Sequence, residues 1–161
     1  MRADPRYASR TRRRPAATPP EPPALVLIAD DDETARLVLQ RAFAHSGAIA
    51  LPVDDGVEIW PILARERVET LVLDLRMPGM NGFDVIRHIR GREAENSLVQ
   101  RIGIIAVSGI PGPDVEARAL RLGADAFRAK PLDIFEVVRI ASELRVRRQR
   151  ALPRTQHLLV D

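Results

Sequence analysis

Polar residues capable of chemistry follow directly after four short apolar runs of this chain. Aspartates occupy positions 30–32 after the first run, Asp74 ends a second, and Ser108 and Lys130 follow two more. A carboxylate beside a hard divalent cation, with an ammonium group and a small hydroxyl close by, can accept a phosphoryl group. The cations neutralise charge on the transferring group, and the hydroxyl donates to one of its oxygens. If the fold brings these residues together, their types predict aspartyl-phosphate chemistry.

Asp74 is the carboxylate best suited to act as the nucleophile. It stands alone at the end of its apolar run and precedes residues 75–82, where a proline and two glycines allow backbone groups to approach a phosphoryl group or a metal. The aspartates at 30–32 suit metal ligation better. Of these three, Asp32 is predicted to cap the helix that follows, because its side chain can reach the first free amides.

Carboxylates gathered at one place require a cation. At an effective dielectric near 20, two unit charges about 4 Å apart repel by about 4 kcal/mol. Oxygen ligands favour Mg²⁺, whereas zinc sites are usually built from Cys and His. The chain has no cysteine, and no histidine lies near these motifs. The sequence therefore predicts a magnesium site.

The elements that must position these residues alternate along the chain. Short continuous apolar runs alternate with longer segments of period 3.6, a pattern typical of a parallel sheet covered by helices on both faces. The predicted strands are 24–29, 49–53, 70–73, 102–107 and 125–129. The predicted helices are one striped by apolar residues over 35–43, then 57–67, 82–90, 114–122 and 133–148.

Pro52 gives topological information. A proline cannot donate a hydrogen bond in a central strand, so the second strand is expected at an edge of the sheet. The flavodoxin-like (βα)5 fold, a doubly wound α/β sheet of strand order 2-1-3-4-5, places it there. In such sheets ligands bind outside the carboxyl ends of the strands. The polar residues after the strands should therefore meet in one crevice.

Composition indicates one globular domain. The chain has 161 residues, of which 45% are hydrophobic and 29% are charged, enough for a single core of ordinary size. We expect a disordered Arg/Pro-rich extension over 1–23, a domain over 24–148 and a short tail over 149–161. The apolar runs have strand length rather than the 18 or so residues of a membrane span, so a cytoplasmic protein is expected.

Positive charge is concentrated at the two ends of the chain. Residues 1–23 hold six Arg against two acidic residues, and 145–161 hold five Arg against one, a net charge of +4 for each segment. The intervening residues hold 14 basic against 19 acidic side chains, a net charge of −5. Because nucleic-acid binding normally needs a folded basic face, this distribution argues against it and indicates solvated tails.

Three segments and Ser108 together resemble the receiver domain of two-component response regulators. The segments are 25–33 (LVLIADDDE), 73–82 (LDLRMPGMNG) and 129–132 (AKPL). The resemblance implies that Asp74 accepts a phosphoryl group from a phosphohistidine of a sensor histidine kinase or a phosphotransfer protein. It also implies that Asp31, Asp74 and the backbone carbonyl of Arg76 bind Mg²⁺, with Asp30 assisting.

The same resemblance implies how phosphorylation is read. Ser108 and Lys130 would contact the bound phosphoryl group, the Lys130-Pro131 peptide would be cis, and Phe127 would occupy the aromatic switch position. A downstream protein would bind the face made by the fourth helix, fifth strand and fifth helix, with the chain a monomer or a phosphorylation-dependent dimer. Phe127 lacks a phenolic hydroxyl, so switching would act through ring burial. Two prolines stiffen the loop 110–113 beside it.

The function predicted from these residues is that of a stand-alone response regulator without an output domain, which signals through protein contacts and is not a turnover enzyme. Two alternatives remain. A receiver-like scaffold could bind a partner or nucleic acid through its basic tails regardless of phosphate. An aspartyl-phosphate phosphatase is the remote alternative, because 30–34 (DDDET) also fits the DxDxT pattern of haloacid-dehalogenase-type phosphatases. That fold requires a longer chain and a late acidic pair.

Overall fold

The structure, a computed structural model, describes residues 21–96 and 101–151. Strands and helices alternate along most of the chain, as the sequence predicts. The strands are β1 (Leu25–Ala29), β2 (Ile49–Val53), β3 (Thr70–Asp74), β4 (Arg76–Met77), β5 (Met80–Asn81), β6 (Gly103–Ser108) and β7 (Ala126–Ala129). The helices are α1 (Glu33–His45), α2 (Ile59–Arg65), α3 (Gly82–Glu95), α4 (Pro113–Leu122) and α5 (Ile134–Ala151), with a 3₁₀ turn at Gly56–Glu58 before α2.

Five parallel strands form the main sheet in the order β2-β1-β3-β6-β7. Counted within this sheet alone, the order is 2-1-3-4-5, so the predicted flavodoxin-like fold is confirmed. The register pairs Val26 with Thr70 and Thr70 with Gly103. The starts of the central strands are therefore aligned, and their carboxyl ends meet at one edge. The short strands β4 and β5 form a separate antiparallel hairpin after β3.

Helices cover both faces of the sheet. On one face, α1 contributes Leu39 and Phe43, and α5 contributes Val137 and Leu144, to a buried apolar cluster. On the other face, α2, α3 and α4 pack against the alternate side chains of the same strands. Because the central strands β3 and β6 are buried along their whole length, they consist of continuous apolar runs rather than alternating patterns.

Pro52 and Pro61 lie at positions where the absence of a backbone amide hydrogen costs little. Strand β2 pairs only with β1 in the described sheet, and Pro52 lies opposite Ile28 in that pairing. The predicted edge position of the second strand is therefore confirmed. Pro61 is the third residue of α2, within the first turn, where an amide hydrogen has no intrahelical partner. The predicted helix over 57–67 is consequently shorter, and the 3₁₀ turn that precedes it is capped by Asp55.

Helix α3 continues past the predicted end at residue 90. The predicted helix over 82–90 ends just before Gly91, but α3 runs through this glycine to Glu95. The extension is held by Ile102, whose carbonyl accepts from Arg90 Nη1 at 2.8 Å and whose amide donates to Glu93 Oε1 at 2.7 Å. These bonds offset the roughly 1 kcal/mol that a glycine costs inside a helix.

The basic residues of α5 are not all solvated. The helix reaches Ala151 rather than 148, and Arg148 Nη1 donates to the backbone carbonyls of Glu69 and Arg101. Arg145 Nε lies 3.3 Å from Glu69 Oε2. The expectation that the charge from residue 145 onward belongs to a solvated tail is therefore wrong for these two residues. The loop before β3 supplies acceptors that the sequence pattern did not reveal.

Only the inner residues of the predicted extension and of the predicted tail lie within the described part of the chain. Most of the predicted extension, 1–20, and of the predicted tail, 152–161, lies outside the described residues. Within them, Glu21 and Pro22 contact α5, where Pro22 accepts a 2.7 Å hydrogen bond from Arg145. No helix in the described part of the chain is both long and apolar enough to cross a bilayer.

Candidate functional site

The four polar positions singled out from the sequence converge at the carboxyl edge of the sheet. Asp30 follows β1, Asp74 ends β3, Ser108 ends β6 and Lys130 follows β7. The Lys130 ammonium nitrogen lies 2.7 Å from Asp30 Oδ2 and 2.8 Å from Asp74 Oδ2. Asp30 and Ser108 are each 1% exposed and Asp74 is 4% exposed. The crevice that the strand order predicts therefore exists.

Three carboxylates in this crevice are close enough to share a metal ion. Asp30, Asp31 and Asp74 each offer an oxygen, and these atoms lie within 4.8 Å of one another. Asp30 Oδ2 is buried, and among the described residues its partner is Lys130. Asp31 is exposed and opens the cluster to solvent. An all-oxygen donor set of this charge fits Mg²⁺.

Burial and pairing shift the pKa values of two groups in the crevice. Burial raises the pKa of Asp30, and the contacts with Lys130 and the Asp32 amide offset only part of that effect. Burial alone would lower the pKa of Lys130, but its hydrogen bonds with Asp30 and Asp74 and their negative charges outweigh burial and raise it. Lys130 therefore stays an ammonium group at neutral pH, fixed between two carboxylates.

Asp74 is held through both of its carboxylate oxygens. Oδ1 accepts a 2.8 Å hydrogen bond from the Arg76 amide, and Oδ2 accepts the bond from Lys130. The chain then turns through the hairpin of β4 and β5, with Gly79 at φ 73° in its turn. The hairpin returns to Gly82, where an added Cβ atom would lie 2.6 Å from the Leu75 Cα atom. This loop is therefore packed closely against the end of β3 that carries Asp74.

The adjacent aspartates 30 to 32 divide between two roles. Asp32 Oδ1 accepts from the amides of Thr34 at 2.8 Å and Ala35 at 3.1 Å, which makes it the N-cap of α1 as predicted. Asp30 Oδ1 accepts from the Asp32 amide at 2.9 Å. Asp30 and Asp31 are thereby left facing Asp74, while Asp32 is used to begin the helix.

Residues 26–142 match the family model of the response regulator receiver domain. The chain belongs to this family. It is 32% identical over 124 residues to the sensory/regulatory protein RpfC of Xanthomonas campestris pv. campestris, a match that covers 76% of this chain and 17% of that protein. It is 27% identical over 102 residues to the sporulation initiation phosphotransferase F of Bacillus subtilis, covering 63% of this chain and 77% of that one.

A solved receiver domain shows the same architecture. The receiver domain of the Francisella response regulator 1452 superposes with a TM-score of 0.69 at 22% identity, covering 80% of this chain and 99% of that one. At this identity the likeness shows the fold. The chain spans less than a quarter of the length of RpfC.

In this receiver domain, Ser108 is engaged with its own turn. Its hydroxyl donates to the Ile110 carbonyl at 3.1 Å and accepts from the Ile110 amide at 3.2 Å. The Ser108 carbonyl accepts from the Lys130 amide at 2.8 Å, which links the two strand ends. The Lys130-Pro131 peptide is cis, as the resemblance implies. Phe127 is 6% exposed and its ring packs in the core.

Two receiver-domain residues at this edge were missed by the sequence analysis. Arg36, on α1, donates from Nη1 to the Asp30 carbonyl at 2.8 Å and pairs from Nη2 with Asp54 Oδ2 at 3.7 Å. Asp54 directly follows β2. A signal existed, because Asp54 follows the second strand just as the other site residues follow theirs.

Proposed function

We propose that Asp74 accepts a phosphoryl group from a phosphohistidine of a sensor histidine kinase or a phosphotransfer protein. The observation that carries this proposal is the joint contact of Lys130 with Asp74 and Asp30, beside an open cluster of three carboxylates. Asp30, Asp31, Asp74 and the Arg76 carbonyl are the groups we assign to Mg²⁺. When bound, Mg²⁺ would neutralise negative charge on the transferring phosphoryl group.

The reaction we propose uses the contacts of Asp74 to aim one oxygen. The amide of Arg76 holds Oδ1, so the carboxylate cannot rotate freely. A carboxylate oxygen attacks phosphorus in line, a new P–O bond forms, and the P–N bond to the donor imidazole breaks. The electron pair of that bond stays on the imidazole nitrogen. Holding the reactants in line lowers the entropic part of the barrier.

Lys130 and Ser108 are the groups we assign to the phosphoryl product. Lys130 already contacts the Oδ2 atom of Asp74 and can donate to an added phosphoryl oxygen with a small movement. To donate to the phosphoryl group, the Ser108 hydroxyl must give up the bond that it donates to the Ile110 carbonyl. That exchange frees the Ile110 carbonyl, so it couples phosphorylation to the loop before α4.

We further propose that a partner protein reads the change on the face formed by α4, β7 and α5. Phe127 lies on β7 and packs in the same buried cluster as Ala119 of α4. A change in the loop at Ile110 would alter the space available to the Phe127 ring, and hence the surface of α4. One relative is named a sensory/regulatory protein and another a phosphotransferase, which favours a phosphotransfer pathway for this chain as well.

Acetyl phosphate with Mg²⁺ provides the direct test. We expect intact-protein mass spectrometry to show the addition of one phosphoryl group to the wild-type chain, dependent on Mg²⁺. The Asp74→Asn variant should gain none. The Asp84→Asn variant is the matched control, because Asp84 is an exposed carboxylate on the first turn of α3, paired with Arg87. It should be phosphorylated like the wild type.

Three results would contradict the proposal. Phosphorylation that persists in Asp74→Asn would place the acceptor elsewhere. Phosphorylation without Mg²⁺ at the wild-type rate would remove the need for the carboxylate cluster. Sustained release of phosphate from small phosphomonoesters would instead indicate the phosphatase alternative.

A further inference from the structure

We propose that Arg36 is a positioning residue for the metal site, which fixes the backbone between Asp30 and Asp31 from its place on α1. The inference rests on the proposed function, because it concerns how this chain prepares the carboxylates that we assign to Mg²⁺. The structure places the Arg36 guanidinium against the Asp30 carbonyl on one side and Asp54 on the other. Neither Arg36 nor Asp54 belongs to the carboxylate cluster.

The first part of the argument concerns how each carboxylate is held. Asp30 is held at one side-chain oxygen by the Asp32 amide and lies against Lys130 at the other. Asp74 is held by the Arg76 amide and by Lys130. The carboxylate of Asp31, in contrast, is exposed and makes no hydrogen bond or ion pair with another described residue. Its position therefore depends on the backbone.

Arg36 controls that backbone directly. The peptide unit between Asp30 and Asp31 is planar, so the direction of the Asp30 carbonyl sets the direction from which the Asp31 Cα atom leaves. Arg36 Nη1 donates to this carbonyl at 2.8 Å. In the preceding peptide, on the other side of the Asp30 Cα atom, the Asp30 amide donates to the Val53 carbonyl at 3.2 Å. The start of the acidic segment is thus tied to both α1 and β2.

Asp54 holds the guanidinium in place. It directly follows Val53 and lies 3.7 Å from Arg36 Nη2. The Arg36 side chain is 16% exposed and Asp54 is 64% exposed, so the pair lies at the rim with the arginine turned inward. A partner of this kind, which orients a ligand without touching the metal, changes metal affinity by about 10- to 100-fold when it is removed.

The direction in which Mg²⁺ affinity changes when Arg36 is removed distinguishes a positioning role from a purely electrostatic one. Arg36 carries a positive charge beside a cation site. If its charge alone mattered, its removal would relieve repulsion and tighten Mg²⁺ binding. If Arg36 positions Asp31, its removal lets the carboxylate move and weakens Mg²⁺ binding. The two explanations predict opposite changes in the dissociation constant.

The experiment is an isothermal titration of the full chain with Mg²⁺, for the wild type and for Arg36→Ala. We expect the dissociation constant for Mg²⁺ to rise about tenfold. In parallel, the initial rate of phosphorylation by acetyl phosphate is measured over a range of Mg²⁺ concentrations. The concentration giving half the maximal rate should rise by the same factor, while the maximal rate stays within about twofold of wild type because the reacting groups are unchanged.

Arg41→Ala is the matched control. Arg41 lies on the same helix, is exposed, and its removal changes the net charge by the same amount. Its Mg²⁺ affinity should equal that of the wild type. Asp54→Ala leaves the bond from Arg36 to Asp30 possible but removes the group that holds the guanidinium, so we expect a smaller loss of about threefold.

Arg36→Lys keeps the inference testable if Arg36→Ala is poorly folded. Lysine preserves the charge but cannot donate to the Asp30 carbonyl and pair with Asp54 through two separate groups. We expect several-fold weaker Mg²⁺ binding at an unchanged melting temperature. Unchanged or tighter binding in Arg36→Ala or Arg36→Lys overturns the inference. Failure of the wild type to be phosphorylated, with Mg²⁺ binding weakened as expected, overturns the proposed function alone.

Discussion

The ammonium nitrogen of Lys130 lies 2.8 Å from Asp74 Oδ2, although β7 and β3 are separated in the sheet by β6. The same nitrogen lies 2.7 Å from Asp30 Oδ2. The ammonium group of Lys130 therefore compensates two buried carboxylates. Because an uncompensated buried charge is costly, Lys130 should contribute to the stability of the protein as well as to its chemistry.

Lys130→Met should lower the free energy of unfolding by about 3 kcal/mol in the absence of Mg²⁺, since Asp30 and Asp74 lose their common partner. Mg²⁺ should restore part of that loss, because it binds the native cluster and not the unfolded chain. Urea unfolding with EDTA and with Mg²⁺ measures both effects. The exposed ion-pair residue Arg139 provides the control, and Arg139→Met should change stability by less than about 0.5 kcal/mol. Equal stability of Lys130→Met and wild type in EDTA would disprove this account.

Asp31→Asn should weaken Mg²⁺ binding by more than about tenfold while preserving the fold. Its carboxylate lacks a partner among the described residues, so the substitution breaks no bond and relieves repulsion from Asp30 and Asp74. The melting temperature without Mg²⁺ should be unchanged or slightly higher. Calorimetric titration and thermal unfolding provide the two measurements.

Asp32→Asn is the comparison for Asp31→Asn. Asparagine caps helices as well as aspartate does, and Asp32 faces the amides of α1 rather than the cluster. Its Mg²⁺ affinity should therefore stay close to that of the wild type. Equal losses of affinity in the two variants would show that net charge, and not ligation by Asp31, controls binding.

Arg90 should contribute strongly to stability at the amino ends of the strands, opposite the carboxylate cluster. Its guanidinium donates to the carbonyls of Gly123 and Ile102 and to the carboxylates of Glu93 and Asp125, at 2.7 to 2.9 Å. The side chain is 14% exposed. Arg90→Met leaves these acceptors partly buried without a donor, so we expect a loss of about 3 kcal/mol in urea unfolding.

Arg87→Met on the same helix is the control for Arg90→Met. Arg87 is 73% exposed and pairs only with Asp84 among the contacts found in the described residues. Its substitution should cost less than about 0.5 kcal/mol. A similar cost for both variants would mean that helix propensity, and not the buried network, accounts for the loss.

Two glycines of α3 should respond in opposite directions to alanine. A Cβ atom at Gly91 meets nothing within 4 Å, so Gly91→Ala should raise the free energy of unfolding by about 0.5 to 1 kcal/mol. At Gly82 the same atom would lie 2.6 Å from Leu75 Cα. Gly82→Ala should therefore lower stability by roughly 1 to 3 kcal/mol and slow phosphorylation, because the loop after Asp74 must shift. Thermal unfolding and the acetyl phosphate assay check both, and stabilisation by Gly82→Ala would contradict the close packing.

The sequence predicted the main sheet well because burial on both faces leaves little choice of residue. The central strands β1, β3 and β6 are continuous apolar runs, and Pro52 excludes the second strand from the centre. Strand order then places the residues after four strands at one edge. The convergence of Asp30, Asp74 and Lys130 follows from topology alone, which is why it was predictable.

Features that depend on tertiary hydrogen bonds were not predictable in the same way. The continuation of α3 through Gly91 depends on Ile102, which lies beyond the helix in sequence. The inward position of Arg148 depends on a carbonyl of Glu69. Arg36, on α1, contacts the backbone carbonyl of Asp30. The periodicity of apolar residues indicates which face of a helix is buried, but it does not indicate a polar contact of this kind. The local sequence pattern does not determine which backbone carbonyl, distant in sequence, an arginine side chain will contact.

Pro52 has a further consequence for the behaviour of the protein in concentrated solution. Strand β2 forms one border of the sheet, and a proline there leaves that border with one donor fewer for pairing with a strand from another molecule. Edge-to-edge association of sheets is a common route to aggregation. The residue that is compatible only with an edge position of β2 therefore also makes pairing of this sheet with a second molecule less favourable.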